Sequence, residues 1–142
     1  MEHLKKVLYL NPVELDGPRQ MAIDLFLLEK SFSDKNFYMA IRFYTWDGDW
    51  LSIGKNQKKI SQKWMNLSKN KKLKLIRRPS GGRAVLHSGG ITYALIWKDP
   101  PRNKKESYLK VSKWLQDGFK KAGIYLCFGN QPITLSDENC FD

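Results

Sequence analysis

The segment from Arg77 to His87, RRPSGGRAVLH, concentrates groups that can bind a carbonyl or anionic oxygen. Pro79 disfavours helical geometry at the residue before it, so the chain must continue there as an extended or turned loop. Gly81 and Gly82 allow positive φ angles and a close approach of the backbone to a ligand. Their N–H groups, together with the Ser80 hydroxyl, can form a concave set of donors for a carbonyl, carboxylate or phosphate oxygen.

Three arginines and a histidine add charged or titratable groups to the same segment. Arg77, Arg78 and Arg83 carry forked donors that pair bidentately with carboxylates and phosphates. His87 follows Arg83 by four residues, at the end of a short predicted strand, from where its ring can point into the same cavity. The segment is therefore predicted to form a binding site for an anionic or acyl ligand.

Plainer interpretations of these residues remain open. A Gly-Gly pair between two strands is commonly only a turn. The Arg-Arg-Pro-Ser sequence is also typical of a kinase substrate, and a lone histidine is more often structural than catalytic. The segment does not follow the pattern G-x-x-x-x-G-K-[ST], and the chain contains no G-x-G-x-x-G, so nucleotide binding by those two routes is unsupported.

The surrounding sequence predicts the elements that would position this loop. Helical periodicity is found over residues 19–31, 60–67 and 106–122. Strands are predicted at 7–10, 37–46, 50–53, 73–77, 84–86, 91–97 and 124–128. We expect Asn11-Pro12 to end the first strand, and Asp16-Gly17-Pro18 to cap the first helix with Pro18 in its first turn. Asp47-Gly48-Asp49 is expected to form a hairpin turn, and Gly123 to end the last helix in a left-handed conformation. This order predicts a single α+β domain over residues 1–142, with a mixed, mostly antiparallel sheet and flanking helices.

Composition restricts the class of protein. A chain of 142 residues with 42% hydrophobic residues is expected to fold as one globular domain. It has no apolar run near the roughly 18 residues that a membrane span needs, and its start does not resemble a secretory signal. Two cysteines, Cys127 and Cys140, do not form the dense framework of a small secreted protein, so we expect free thiols and a cytoplasmic location.

The net charge of +11 favours an acidic partner. Its lysines lie in turns and on helix faces, and no element able to read bases in a groove is visible. Binding to nucleic acid is therefore not favoured, although it remains a hypothesis of a separate class.

Several ordered motifs resemble the lipoate–protein ligase and octanoyltransferase family. The stretch RRPSGGRAVLHSGGITYAL is similar to its Arg-Arg-x-[Ser/Thr]-Gly-Gly-x-Ala-Val-x-His signature, which a Thr-Tyr strand follows. QMAIDLFLLEK resembles its first helix, IRFYTWDGDWLSIGKNQ its hairpin, and ESYLKVSKWLQDGFKKAGI the helix before its second half. The resemblance implies an α+β catalytic domain shared with biotin–protein ligases, in which the loop and the hairpin wall a tunnel for a medium-chain acyl group.

The resemblance also implies roles for individual residues. The carbonyl end of octanoate or lipoate would be held by Arg78, Ser80, Gly81, Gly82, Ala84 and His87. The substrate-binding set would be completed by Arg83, Gly54, Gln57 and Tyr93, with Trp46, Trp50 and Tyr93 as candidates for the apolar wall. No metal ligands are implied.

Two chemistries share this scaffold, and two residues favour acyl transfer. Arg83 stands in a Gly-Gly-Arg-Ala-Val sequence, which resembles the octanoyltransferases, whereas the ligases tend to have Gly-Gly-Gly-Ala-Val. Cys140, in Asn-Cys-Phe-Asp, resembles the acylated cysteine, which would take octanoate from acyl carrier protein and pass it to a lysine of a lipoyl acceptor domain. Such a transferase needs no cofactor. A lipoate–protein ligase, the alternative, would need ATP and magnesium.

One family feature has no counterpart in this sequence. Members of the family continue for roughly another domain's length and contribute a lysine in a Gly-Arg-Lys segment, which cannot be matched here. We therefore expect residues 1–142 to be an incomplete, N-terminal portion of the catalytic domain, either as a fragment or as a degenerate member. A non-catalytic module that binds an acyl group or a partner is the second alternative.

Overall fold

The computed structural model describes residues 5–128, which form six strands and three helices. They are β1 (Lys6–Leu15), α1 (Gly17–Ser33), β2 (Phe37–Trp46), β3 (Trp50–Ile53), α2 (Gln62–Lys69), β4 (Lys74–Arg77), β5 (Val85–His87), β6 (Thr92–Trp97) and α3 (Lys104–Lys121). The chain divides into two compact units, of which the first ends at Asp99 and the second begins at Pro100. The predicted site segment lies in the first unit.

The strands form two mixed sheets of three strands each. In the first sheet β2 is central, parallel to β1 and antiparallel to β6. In the second sheet β3 is central, parallel to β4 and antiparallel to β5. The predicted α+β class with mixed sheets and flanking helices is confirmed, and each sheet contains one parallel and one antiparallel pairing.

The predicted hairpin between β2 and β3 is wrong. Both strands have the predicted bounds, and Gly48 adopts the left-handed turn conformation at φ +77° between them. However, the two strands belong to different sheets. All four residues of β3 are buried and most of β2 is buried on both faces, so each takes the central place in a sheet, with partners on both sides.

The first and last predicted strands also differ from expectation. β1 continues through Asn11-Pro12 to Leu15, with a register shift between Leu10 and Val13. A proline is tolerated there because β1 is an edge strand. Pro12 also lies within the register shift, where its missing backbone N–H leaves no hydrogen bond of the strand ladder unmade. The strand predicted at 124–128 is not formed, since only Leu126 makes an isolated bridge.

Helix α1 connects the two hydrophobic clusters of the first unit. Its N-cap, Asp16, accepts a hydrogen bond from the Arg19 backbone N–H at 2.9 Å, and a proline occupies its first turn, as the sequence predicts. Met21 packs with Tyr44, Trp46 and Trp50, whereas Leu27, two turns further along, packs with Phe37 and Ala40. The helix therefore covers β2 along much of its length.

The second unit contains α3 and the residues that follow it. Asn103 caps the helix by accepting from the Lys105 backbone N–H at 2.9 Å, and Gly123, at φ +80°, follows its end in the predicted left-handed conformation. Cys127 is half-buried and disulfide-bonded, so the expectation of a free thiol is wrong for this residue. Among the described residues, no helix is long and apolar enough to cross a membrane.

Candidate functional site

A cavity of about 620 Å³ lies in the first unit, between α1 and the facing strands of both sheets. Its volume is in the range of small-molecule sites. Its wall is made of Met21, Asp24 and Leu28 of α1, Tyr44 and Trp46 of β2, Ser52 of β3, Arg78, Pro79, Ser80, Val85, His87 and the six residues of β6. The loop that the sequence singles out therefore forms part of the wall of a real cavity.

The cavity extends along β6, and most polar groups of its wall lie at the Thr92 end of this strand. Thr92, which contacts His87, and Ile96, which packs against the Leu27 cluster, are four residues apart on β6, or about 13 Å along the strand. The polar groups of Ser52 and Arg78 lie at the His87 end. Such a cavity suits a chain-like ligand with a polar head group.

All six residues of β6, consecutive along the strand, line the cavity. Within the part of the chain that the structure describes, β6 pairs only with β2. In an antiparallel pairing, alternate residues turn their N–H and C=O groups away from the partner strand. The edge of β6 can therefore supply backbone donors and acceptors to a ligand in addition to apolar side chains.

His87 is held on three sides at the polar end. Its Nε2 lies 2.8 Å from Ser52 Oγ and its Nδ1 3.2 Å from Thr92 Oγ1, while its ring stacks on Trp46 with the centroids 4.2 Å apart. The Trp46 indole N–H donates to Thr92 Oγ1 at 2.9 Å, which leaves the Thr92 hydroxyl to donate to Nδ1. With the proton on Nε2, the His87 ring donates to Ser52 Oγ and accepts at Nδ1 from the Thr92 hydroxyl, so both ring nitrogens are hydrogen-bonded. Burial, and secondly the nearby Arg78 charge, lower the pKa of His87, so its neutral form is favoured.

We expect His87 to titrate below its ordinary pKa of 6.5. The folded state then resists protonation while the unfolded state accepts a proton, so the stability that His87 contributes is complete above pH 6.5 and is lost as the pH falls through the folded pKa. The imidazole Cε1–H signal, followed by NMR from pH 8 to pH 4 in a His3→Gln variant, measures it directly because the chain has two histidines. A midpoint at or above 6.5 would contradict the burial of the ring.

The Arg78 guanidinium is largely used to hold its own loop. Its Nη1 donates to the Ser52 carbonyl and hydroxyl oxygens at 2.9 and 3.1 Å, and its Nη2 donates to the Gly81 and Arg83 carbonyls at 2.7 and 2.6 Å. These bonds connect β3 to the loop after β4. Arg78 still lines the cavity, where it contributes positive charge more than free donors.

Arg77 has a similar role on the outside of the same loop. Its Nη1 donates to the backbone carbonyls of Gly54, Lys55 and Gln57 at 2.7, 3.3 and 2.9 Å. Arg77 does not line the cavity. Its fork therefore stabilises the turn after β3, and the expected pairing with a ligand anion has no support in this geometry.

Two glycines allow the loop to lie against the end of β3. Gly82 has φ +93°, and a Cβ there would also come within 2.9 Å of Arg78 Nη2. A Cβ on Gly54 would overlap the Gly82 carbonyl group, and the Lys55 N–H donates to the Ser80 carbonyl at 2.9 Å beside this contact. Glycine at these positions is therefore required by close backbone packing and by positive φ.

The predicted site residues fall into two groups. Those that line the cavity are Arg78, Ser80, His87 and Tyr93, and Trp46 lines it too. Those that lie outside its wall are Gly54, Gln57, Gly81, Gly82, Arg83, Ala84 and Trp50. Cys140 lies outside the described residues. Contacts of these residues with a substrate stay predictions. Across residues 5–128, no group of three or more His, Cys, Asp or Glu side chains could hold a metal ion.

Three polar residues of the wall were given no role of their own from the sequence, although Ser52 lies in the predicted hairpin and Thr92 in the Thr-Tyr strand. Ser52 interrupts the buried apolar sequence of β3, and Thr92 opens β6 directly beside His87. Asp24 lies three residues after Met21 and four before Leu28, which places a carboxylate on the cavity-facing side of α1. A polar residue on an otherwise apolar face was the signal that could have identified each of them.

Asp24 belongs to a buried polar network behind the cavity. Its two carboxylate oxygens accept from Arg42 Nη1 at 3.1 Å and from the Tyr44 hydroxyl at 3.3 Å. Arg42 is 1% exposed and also donates to the Gln20 carbonyl at 3.1 Å and to Gln20 Oε1. Burial raises the pKa of Asp24, and the Arg42 charge and the Tyr44 hydrogen bond oppose this shift.

This chain is similar to one protein family, to curated proteins and to solved structures. The model of the lipoyl protein ligase A/B catalytic domain matches residues 16–134. Octanoyltransferase LipM of Carboxydothermus hydrogenoformans is 38% identical over 122 residues, which cover 82% of this chain and 44% of the relative. Octanoyltransferase LipM of Bacillus cereus is 31% identical over 150 residues, which cover 97% of this chain and 54% of the relative. The chain therefore spans about half the length of these curated relatives.

Among solved structures, the bi-partite lipoate protein ligase of Thermoplasma acidophilum, which was studied with its E2 lipoyl domain, has a similar fold. The TM-score is 0.63 at 19% identity, and the match covers 91% of this chain and 49% of the other. At this identity the likeness concerns the fold alone.

Proposed function

Since this chain belongs to the lipoyl protein ligase A/B catalytic domain family, we propose that it acts in protein lipoylation as an octanoyltransferase. The family resemblance that its motifs predicted is thereby confirmed. The proposed reaction transfers an octanoyl group, through a cysteine thioester, to a lysine of a lipoyl acceptor domain. The curated relatives, which are named octanoyltransferases, support this chemistry over ATP-driven ligation.

The observation that carries the proposal is the cavity along β6 with the Arg78–His87 segment at its polar end. An octanoyl chain would lie along β6 towards Ile96, where apolar side chains replace water around it. Its carbonyl would lie near Ser80 and the Arg78 charge. The apolar part of the wall supplies binding free energy, and the polar end fixes which end of the ligand faces the loop.

The proposed chemistry uses the thiol of Cys140. Its thiolate attacks the thioester carbonyl of an octanoyl donor, a new thioester forms on the enzyme, and the donor thiol leaves with the electron pair of the broken C–S bond. The neutral amine of the acceptor lysine then attacks this thioester and forms an amide. The Cys140 thiolate leaves with the electron pair of the broken C–S bond, and the proton that the amine loses passes to this thiolate or to water. Both ring nitrogens of His87 are engaged by hydroxyl groups, so we assign His87 to positioning Ser52 and Thr92.

Acylation of Cys140 tests the proposal. We expect the protein, after reduction, to gain one octanoyl group from octanoyl-acyl carrier protein, as measured by intact-protein mass spectrometry. Reduction is needed because Cys127 is disulfide-bonded and Cys140 is the only other cysteine of the sequence. The Cys140→Ser variant should lose the label, whereas the matched Cys127→Ser variant should keep it, and the labelled protein should then acylate a lipoyl domain.

Other outcomes would overturn the proposal. Labelling that persists in Cys140→Ser, or no labelling of any variant, would exclude the cysteine route. Formation of a lipoyl-adenylate with ATP and magnesium, without a thioester, would support the ligase alternative. Acyl carrier protein as the donor, a cytoplasmic location and the N-terminal-portion interpretation of residues 1–142 stay predictions.

A further inference from the structure

The positive charge of this chain is concentrated in one segment. Residues 50–98 contain twelve Lys and Arg side chains and no Asp or Glu, so this segment carries +12 and the rest of the chain −1 of the net +11. A uniformly solvated surface would mix both signs along the sequence. The concentration points to one surface that interacts with a partner of opposite charge.

Most of this charge is exposed around α2. We define the basic face as the seven exposed lysines of the segment between β3 and β4, which are Lys55, Lys58, Lys59, Lys63, Lys69, Lys71 and Lys72. Among the described residues, none of these seven lysines makes an ion pair within the chain. Lys74, by contrast, is paired with Asp47 at 3.7 Å. The seven ammonium groups are therefore available to carboxylates of another molecule.

The basic face is anchored to the rim of the cavity. The Lys55 N–H donates to the carbonyl of Ser80, which lines the cavity, at 2.9 Å. Arg77 binds the carbonyls of the turn that begins the face, and Gly54 packs against Gly82. Lys59 is four residues beyond Lys55, so their Cα atoms are at most about 14 Å apart. A partner bound to Lys55 and Lys59 would therefore lie close to Ser80 of the cavity wall.

The side chains of the face favour a protein over a nucleic acid. All seven cations are lysines, which act as point charges and lack the fork with which arginine reads bases or grips phosphates. The amides of α2 that could read base edges, Gln62 and Asn66, bond to each other at 3.0 Å. Met65, 37% exposed, adds an apolar side chain on the same helix. Apolar contacts beside polar ones are typical of protein interfaces.

We propose that the basic face docks an acidic protein domain that presents the acceptor lysine to the cavity. This inference rests on the proposed function and names the surface through which the acceptor is recognised. The lysine charges would speed the encounter and orient the domain, while the cavity holds the acyl group that the lysine receives.

A charge-reversal experiment tests the docking surface. The probe is an apo lipoyl domain of net negative charge, and its affinity for the full chain is measured by calorimetry at 50 and 200 mM salt. We expect the variant K58E/K59E/K63E to bind at least about tenfold more weakly than the wild type at 50 mM salt, and higher salt to weaken the wild type. Circular dichroism should show that the variant is folded like the wild type. A K58Q/K59Q/K63Q variant, which removes the charges without reversing them, should lose an intermediate amount of affinity.

A matched control lies on α3. The variant K104E/K105E/K121E makes the same change in net charge at exposed lysines outside the basic face, and we expect less than a twofold effect. Equal weakening by both variants, or no weakening by the first, would overturn the proposal. Tighter binding to a DNA duplex than to the lipoyl domain, lost in the first variant, would assign the face to nucleic acid. Binding is measured without acyl transfer, so a failure of Cys140 acylation would overturn only the proposed function.

Discussion

Replacing Arg42 by alanine is expected to lower the free energy of unfolding by about 3–5 kcal/mol. Arg42 is 1% exposed, and its guanidinium binds the Asp24 carboxylate and two oxygens of Gln20 while lying 4.0 Å from the centroid of the Tyr44 ring. Its removal leaves a mostly buried carboxylate without its cation and the buried Gln20 Oε1 without the Arg42 donor. Urea unfolding followed by far-ultraviolet circular dichroism at pH 7 measures the loss.

The pH dependence of this loss follows from Asp24. Burial already raises the pKa of Asp24, and removing Arg42 takes away the main charge that opposes the shift. A carboxyl group with a raised folded pKa contributes stability at low pH that is lost as the pH rises through that pKa. The deficit of the Arg42→Ala variant should therefore be smaller at pH 5 than at pH 8.

Arg19→Ala, on the helix α1 that Arg42 holds against β2, is the matched control. The Arg19 side chain is 72% exposed and lies 3.8 Å from Asp16, and exposed pairs of this kind contribute at most about 1 kcal/mol. A loss for Arg42→Ala no larger than that for Arg19→Ala would mean that the buried network does not hold α1 on β2.

Replacing Gly54 by alanine is expected to weaken the binding of octanoate on the order of 10- to 100-fold, since a lost hydrogen bond to a charged group costs about 1.5–3 kcal/mol. A Cβ on Gly54 would overlap the carbonyl oxygen of Gly82 and lie 2.9 Å from its carbon. Both are backbone atoms, so no side-chain rotation relieves the clash, and the loop must move. Because Arg78 and Ser80 are on the same loop, the polar end of the cavity moves with it. Isothermal calorimetry with octanoate measures the change.

Gly90→Ala serves as the control for this variant. A Cβ on Gly90 meets no atom within 4 Å, and we expect less than a twofold change in affinity. The Gly54→Ala variant should also lose about 1–3 kcal/mol of stability through overpacking. Unchanged octanoate affinity in a folded Gly54→Ala variant would show that the loop does not form the head-group end of the site.

The sequence alone determined the local elements and the family motif of this protein. The bounds of β2 and β3, the Asp16 cap and the left-handed Gly123 depend on residues within a few positions of each other, so local rules predict them. The Arg77–His87 motif could be read in the same way because its residues are contiguous.

Only the tertiary structure decided which strands pair and which motif residues reach a cavity. β2 and β3 are central strands of two different sheets and are buried on both faces, although the turn between them is typical of a hairpin. The donors of Arg77 and Arg78 are taken by backbone carbonyls of the turn after β3, of β3 itself and of the loop, which no local rule could foresee. Ser52, Thr92 and Asp24 enter the cavity wall from three distant elements. Local spacing predicts conformation and chemistry, whereas pairing and burial depend on competition among distant segments for the same core.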